Sequence, residues 1–141
     1  MEHIIIYTDG GARGNPGPAA IGVYIIDANG TVIVEHKEAI GNATNNYAEY
    51  QAVIRALEIL RRLYGEQTST MHFELRLDSE LVKKQITREY RVKEPSLISL
   101  YMTVHNEQVD NFPHLTLTHV RREFNKEADR LVNEALDAGG A

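Results

Sequence analysis

Four carboxylates in this sequence stand where carboxylates are costly. Asp9 and Asp78 each follow an apolar, strand-like run, Ile4-Ile5-Ile6-Tyr7 for the first and the alternating Met71–Leu77 for the second. Glu49 precedes Ala52, Val53, Ala56, Leu57 and Leu60 at spacings of three and four, which puts it on the buried stripe of a helix near its start. Asp129 precedes Val132 and Leu136 in the same manner. A carboxylate against a core needs a partner. Four of them, from two strand ends and two helix starts, point to a shared one. The chain has no cysteine, so the economical partner is a hard, oxygen-preferring cation such as Mg²⁺ or Mn²⁺. Bunched without a cation, the carboxylates would repel and be driven toward protonation. Two such ions about 3.5–4 Å apart are the arrangement used for in-line displacement at phosphorus.

Competing chemistries find little support. The six histidines include no HExxH pair, so a zinc protease has no basis. The glycine-rich stretch at 10–17 lacks a phosphate-loop lysine and leads into a strand, so it is neither a P-loop nor a dinucleotide fingerprint. A GxSxG nucleophile elbow is missing as well.

The elements that must position these carboxylates can be read from periodicity. Residues 3–8 form a strand, and Asp9-Gly10, a common turn dipeptide, is expected to end it. A second strand at 19–27 passes through the hairpin signal Ala28-Asn29-Gly30 into a third at 31–40. Thr44 or Asn45 offers an N-cap for a helix over 46–64, whose stripe also takes in Leu63 and Tyr64, and Gly65 stops it. A fourth strand covers 71–78 and a helix 79–88. Pro95 opens a further helix with Leu97, Ile98, Tyr101, Met102, Val104 and His105 expected on its inner side. A fifth strand at 114–120 and a last helix at about 125–138 complete the order βββαβααβα. Three antiparallel strands followed by crossovers imply an α/β fold. Its mixed five-stranded sheet has helices on its faces, with parallel pairing around strands one, four and five.

Composition bounds the rest. A chain of 141 residues, 43% hydrophobic and 25% charged, is expected to form a single domain, 1–141. The first apolar run is too short for a signal sequence or a membrane span, and the lack of cysteine fits a reducing compartment, so a cytoplasmic protein is expected. The net charge of −5 argues against nucleic acid as a partner. Its distribution argues back: residues 76–93 hold six basic residues against three acidic ones, Arg121 and Arg122 are adjacent, and Arg13 sits in the glycine loop.

The motifs, taken in order, resemble type 1 ribonuclease H over essentially the whole chain. They are Asp9-Gly10-Gly11 with Gly14-Asn15-Pro16-Gly17, Thr44-Asn45-Asn46-Tyr47-Ala48-Glu49, Leu77-Asp78-Ser79, and His119 with Asn125-Lys126-Glu127-Ala128-Asp129. The resemblance implies a ribonuclease H-like fold and Mg²⁺- or Mn²⁺-dependent cleavage of the RNA strand of RNA–DNA hybrids, leaving 5′-phosphate and 3′-hydroxyl ends. It implies two ions per site. Asp9 would bridge both, Glu49 and Asp78 would complete the one holding the attacking water, and Asp129 would serve the other. Glu49 would also lie near the 2′-hydroxyl that tells RNA from DNA.

Asn15, Asn45 and the 10–17 backbone resemble hybrid-contacting groups, and Gly10 and Gly11 would let the chain approach the duplex. Arg13, Asn46, Lys84 and Arg88 join them as substrate-contact candidates. His119 has the spacing of a family histidine that helps protons or product move, and Arg121 or Arg122 could take part of that task by touching phosphate. The chain departs from many relatives in its short 84–95 segment, which cannot form an additional basic helix; weaker or more salt-sensitive hybrid binding is expected. The alternatives are a same-fold nuclease for double-stranded RNA or RNA–DNA junctions, and a non-catalytic hybrid-binding domain. A monomer that touches no membrane is expected.

Overall fold

The computed structural model describes residues 3–139; residues 1, 2, 140 and 141 of the expected 1–141 unit lie outside the described residues. Five strands, β1 (His3–Ala12), β2 (Gly17–Asp27), β3 (Val32–Ala43), β4 (His72–Leu77) and β5 (Leu115–His119), form one sheet in the order β3-β2-β1-β4-β5. Helices α1 (Asn45–Tyr64), α2 (Glu80–Ile86), α3 (Pro95–Asp110) and α4 (Lys126–Ala138) follow in the expected order, with short 3-10 turns at Gly65–Ser69 and Arg122–Phe124. The first three strands are antiparallel, while β4 runs parallel to β1 and β5 parallel to β4.

Alternation sorts the side chains of β1 between two layers. Ile4 and Ile6 join Val23, Ile25, Phe73 and Leu75 in the main core under α1, whose Tyr50, Val53, Leu57 and Leu60 fill it. The buried Tyr50 hydroxyl donates to Gln85 Oε1 at 2.8 Å, tying α1 to α2. On the other face a smaller cluster of Ala20, Val132, Ala135 and Leu136 packs α4 against the strands. Thr44 caps α1, its hydroxyl accepting from the Tyr47 amide at 3.2 Å. Among the described residues no helix is long and apolar enough to cross a membrane.

Two expectations are corrected. First, β1 does not end at Thr8. It continues to Ala12, with Asp9 opposite Gly22, Gly10 opposite Ile21 and Gly11 opposite Ala20. The local turn signal loses because the hairpin partner continues and both glycines fit the ladder. Parallel pairing with β4, however, does stop at Thr8 and Leu77. Asp9 and Asp78 are therefore the first residues past that seam.

Second, Leu63, Ile98 and Met102 are exposed rather than inward. The inner stripe of α3 is narrower, with Leu97 and Val104 buried and Leu100 and Tyr101 partly so, where α3 packs against α1 and α2.

Candidate active site

Asp9 is brought to its neighbours by two close approaches, one on each face of the sheet, at β1 and at its partner strand β2. A Cβ on Gly10 would lie 2.3 Å from the backbone of Ala48 and 2.6 Å from the amide nitrogen of Glu49. Glycine at 10 is thus what lets the first turn of α1 touch the strand and deliver Glu49. Gly22, directly across from Asp9, does the same for α4, since a Cβ there would lie 2.4 Å from the Ala128 carbonyl oxygen. That approach sets Asp129 over the site. Gly10 lines the cleft, and the space a side chain there would need is taken by α1. Gly11 also lines the cleft, and a Cβ there would make an ordinary 3.8 Å contact with Val132.

The result is a cleft of about 380 Å³ lined by Asp9, Glu49, Asp78 and Asp129 together. Carboxylate oxygens of Asp9, Glu49 and Asp78 lie within 4.8 Å of one another, while Asp129 stands outside that tightest group at the cleft wall. Asp9 and Glu49 are buried. One amide, that of Gly10, donates to both Asp9 Oδ1 (3.0 Å) and Glu49 Oε1 (3.1 Å).

Burial, with the nearby charges of Asp78 and Asp129, pushes the Asp9 carboxyl up to about 7 even though its contact with Glu49 pulls the other way. Burial and the charge of Asp9 hold Glu49 well above the usual carboxylate range. Glu49 Oε2 is buried without a hydrogen-bond partner. An all-oxygen donor set, a buried oxygen with nothing bound to it, and mutual repulsion that a positive charge would relieve together fit a hard divalent cation.

The polar surroundings divide the remaining candidates. Asn45 and Asn46 line the cleft beside the carboxylates. Asn15 Oδ1 accepts from the Asn45 amide at 3.0 Å, and Asn45 Oδ1 accepts from the Ala12 amide at 2.8 Å, so the two side chains clasp the β1–β2 loop to the start of α1. Arg13 lines the cleft and is anchored to α4, 2.7 Å from Asp137 and 3.4 Å from Asn133 Oδ1.

Arg122 reaches the carboxylate cleft; its neighbour Arg121 does not, and pairs with Glu123 at 3.4 Å. His119, the last residue of β5, pairs with Leu77, one residue before Asp78, and lines a depression with Tyr7, Arg76 and Phe124 rather than the carboxylate cleft itself. Lys84 and Arg88 also lie outside the cleft; Lys84 sits over the Tyr90 ring, 5.0 Å from its centroid. Sequence reasoning missed Asn125 and Asn133 as site residues. Asn133 Nδ2 donates to the Asp129 carbonyl (3.1 Å) and carboxylate (3.4 Å). Its spacing of four from Asp129 on one helix face was the available signal.

A carboxylate cluster past the parallel seam of a β3-β2-β1-β4-β5 sheet defines the ribonuclease H-like class. The family described as "Reverse transcriptase-like" matches residues 7–135. LC11-RNase H1, isolated from compost by a metagenomic approach, is 48% identical with a TM-score of 0.94 over 100% of both chains, and it has also been solved in complex with an RNA/DNA hybrid. Ribonuclease HI of Halobacterium salinarum is 42% identical over 93% of this chain, and bifunctional protein Rv2228c of Mycobacterium tuberculosis is 39% identical over 96%. The chain spans only 63% and 36% of the length of those two proteins. This chain belongs to the type 1 ribonuclease H family. It is a compact member, with only residues 87–94 joining α2 to α3.

Proposed function

We propose that this chain is an endonuclease that hydrolyses the RNA strand of RNA–DNA hybrids, using two Mg²⁺ or Mn²⁺ ions and leaving 5′-phosphate and 3′-hydroxyl ends. The observation that carries this is the trio Asp9, Glu49 and Asp78, with three carboxylate oxygens within 4.8 Å at the floor of an open cleft. In this reading Asp9, Glu49 and Asp78 hold one ion, and Asp9 with Asp129 holds the other. When bound, such ions polarise the scissile phosphate and lower the pKa of a coordinated water.

The chain's own groups do the rest. The Gly10 amide fixes one oxygen of Asp9 and one of Glu49, leaving Glu49 Oε2 for the site. Asn45 and Asn46, at the positive end of α1, offer polar groups to sugars and base edges. Arg122 supplies a cation at the cleft wall for a backbone phosphate. All four carboxylates come from one chain, so the site calls for no second copy.

The test uses labelled RNA–DNA hybrid, duplex RNA and duplex DNA, each with Mg²⁺, Mn²⁺ or EDTA, and Asp9→Asn as control. Cleavage of the hybrid's RNA strand alone, lost in EDTA and in the variant, is expected. No cleavage with either metal, or equal cleavage by Asp9→Asn, overturns the enzyme reading. Preferred cleavage of duplex RNA overturns the substrate assignment.

A further inference from the structure

Asn125 stands immediately before α4 and is 1% exposed. Its single amide nitrogen donates twice, to the Thr8 carbonyl at 2.9 Å and to Asp78 Oδ2 at 3.3 Å. Its own carbonyl accepts from the Asp129 amide at 3.1 Å. One residue therefore grips the peptide group that leads into Asp9, the carboxylate of Asp78, and the first turn that carries Asp129.

The choice of side chain is specific. Both partners of Nδ2 are acceptors, so only an NH₂ group, with two hydrogens, serves them together. Turning the amide over would set an oxygen against a carbonyl and a carboxylate. The orientation is thereby fixed, although it leaves Asn125 Oδ1 buried without a partner.

We propose that Asn125 is a positioning residue for the metal centre: it fixes the rotamer of Asp78 and the spacing of Asp9, Asp78 and Asp129, and so sets cation affinity without touching the cation. Such supporting groups act through the ligands they orient. The proposal rests on the metal-site reading above.

The experiment titrates Mn²⁺ calorimetrically into the full chain as wild type, Asn125→Ala, Asn125→Leu (which keeps the bulk but has no donor) and Asp9→Asn, with thermal melts alongside. Both Asn125 variants are expected to bind Mn²⁺ about 10–100-fold more weakly. In cleavage assays their metal requirement shifts upward by a similar factor while KM for hybrid stays within about twofold, as a supporting group predicts. Wild-type NMR provides a readout independent of any variant's folding: the Asn125 side-chain amide resonances are expected to shift when Mg²⁺ saturates the site. Unchanged Mn²⁺ affinity in a folded Asn125 variant, even with a lowered Tm, overturns the proposal, as does an Asn125 amide unmoved by Mg²⁺. If wild type and Asp9→Asn take up Mn²⁺ equally, the metal reading itself fails and takes this proposal with it.

Discussion

Asp9 is the residue on which the proposed chemistry turns, because the other three carboxylates all act on it. Asp9→Asn, Glu49→Gln and Asp78→Asn should each lower single-turnover cleavage by more than about 100-fold, beyond the range typical of groups that only support ligands. The measurement is the cleavage rate at saturating hybrid, with circular dichroism to verify folding. The two adjacent arginines separate by position: Arg122 reaches the cleft and Arg121 pairs with Glu123 outside it. Arg122→Ala is expected to cost roughly tenfold in single-turnover rate, the scale of one charge-assisted hydrogen bond. Arg121→Ala and His119→Ala should stay within about twofold, given that scale and their distance from the carboxylates. A larger loss in Arg121→Ala or His119→Ala than in Arg122→Ala would reverse the assignment.

At the scale of elements, the site is made by two helices pressing on opposite faces of the sheet, α1 at Gly10 of β1 and α4 at Gly22 of β2. Gly10→Ala should destabilise the protein by about 1–3 kcal/mol or more, as overpacking does, because a methyl group would sit 2.3 Å from the Ala48 backbone. Gly22→Ala should act alike through α4, whereas Gly11→Ala, with its nearest contact at 3.8 Å, should melt close to wild type. Thermal denaturation of the three variants checks the order. These approaches also explain what could be read from the sequence. The four carboxylates were legible because each breaks an apolar pattern on its own element, and the element order was legible from periodicity. Asp9-Gly10-Gly11 was misread as a turn because its signal is local, while the reason for Gly10 is a helix starting 35 residues later. Leu63, Ile98 and Met102 were placed inside because apolarity does not reveal where a neighbouring layer ends. Asn125 could be named within a motif but given no role, because a polar residue before a helix looks like any cap and its partners lie on β1 and just past β4.

For the whole molecule, the carboxylate cluster couples metal, proton and stability. The metal-free fold holds Asp9 up to about 7, far above an unfolded aspartate, and raises Glu49 as well. The folded state therefore binds more protons than the unfolded one between these values, so ∂ΔG/∂pH is negative there. The associated stability is full below about pH 4, the unfolded value, and is lost as pH rises through about 7. Tm measured in EDTA should fall from pH 5 to pH 8, and the fall should be smaller in Asp9→Asn. Cation binding requires the carboxylates deprotonated, so Mn²⁺ affinity should rise over the same interval and binding should release protons. Calorimetry in buffers of different ionisation enthalpy measures that release.

The placement of Asp129 on α4 has a consequence in time. Asp9, Glu49 and Asp78 belong to elements that are all complete by residue 78, yet Asp129 and Asn125 are contributed only after the fifth strand. In the proposed two-ion reading, the ligands of one ion would therefore exist during synthesis well before those of the other. On the proposed function, cutting competence would be acquired late, when α4 closes over Gly22, and a chain arrested before that point would hold three of the four carboxylates without the last.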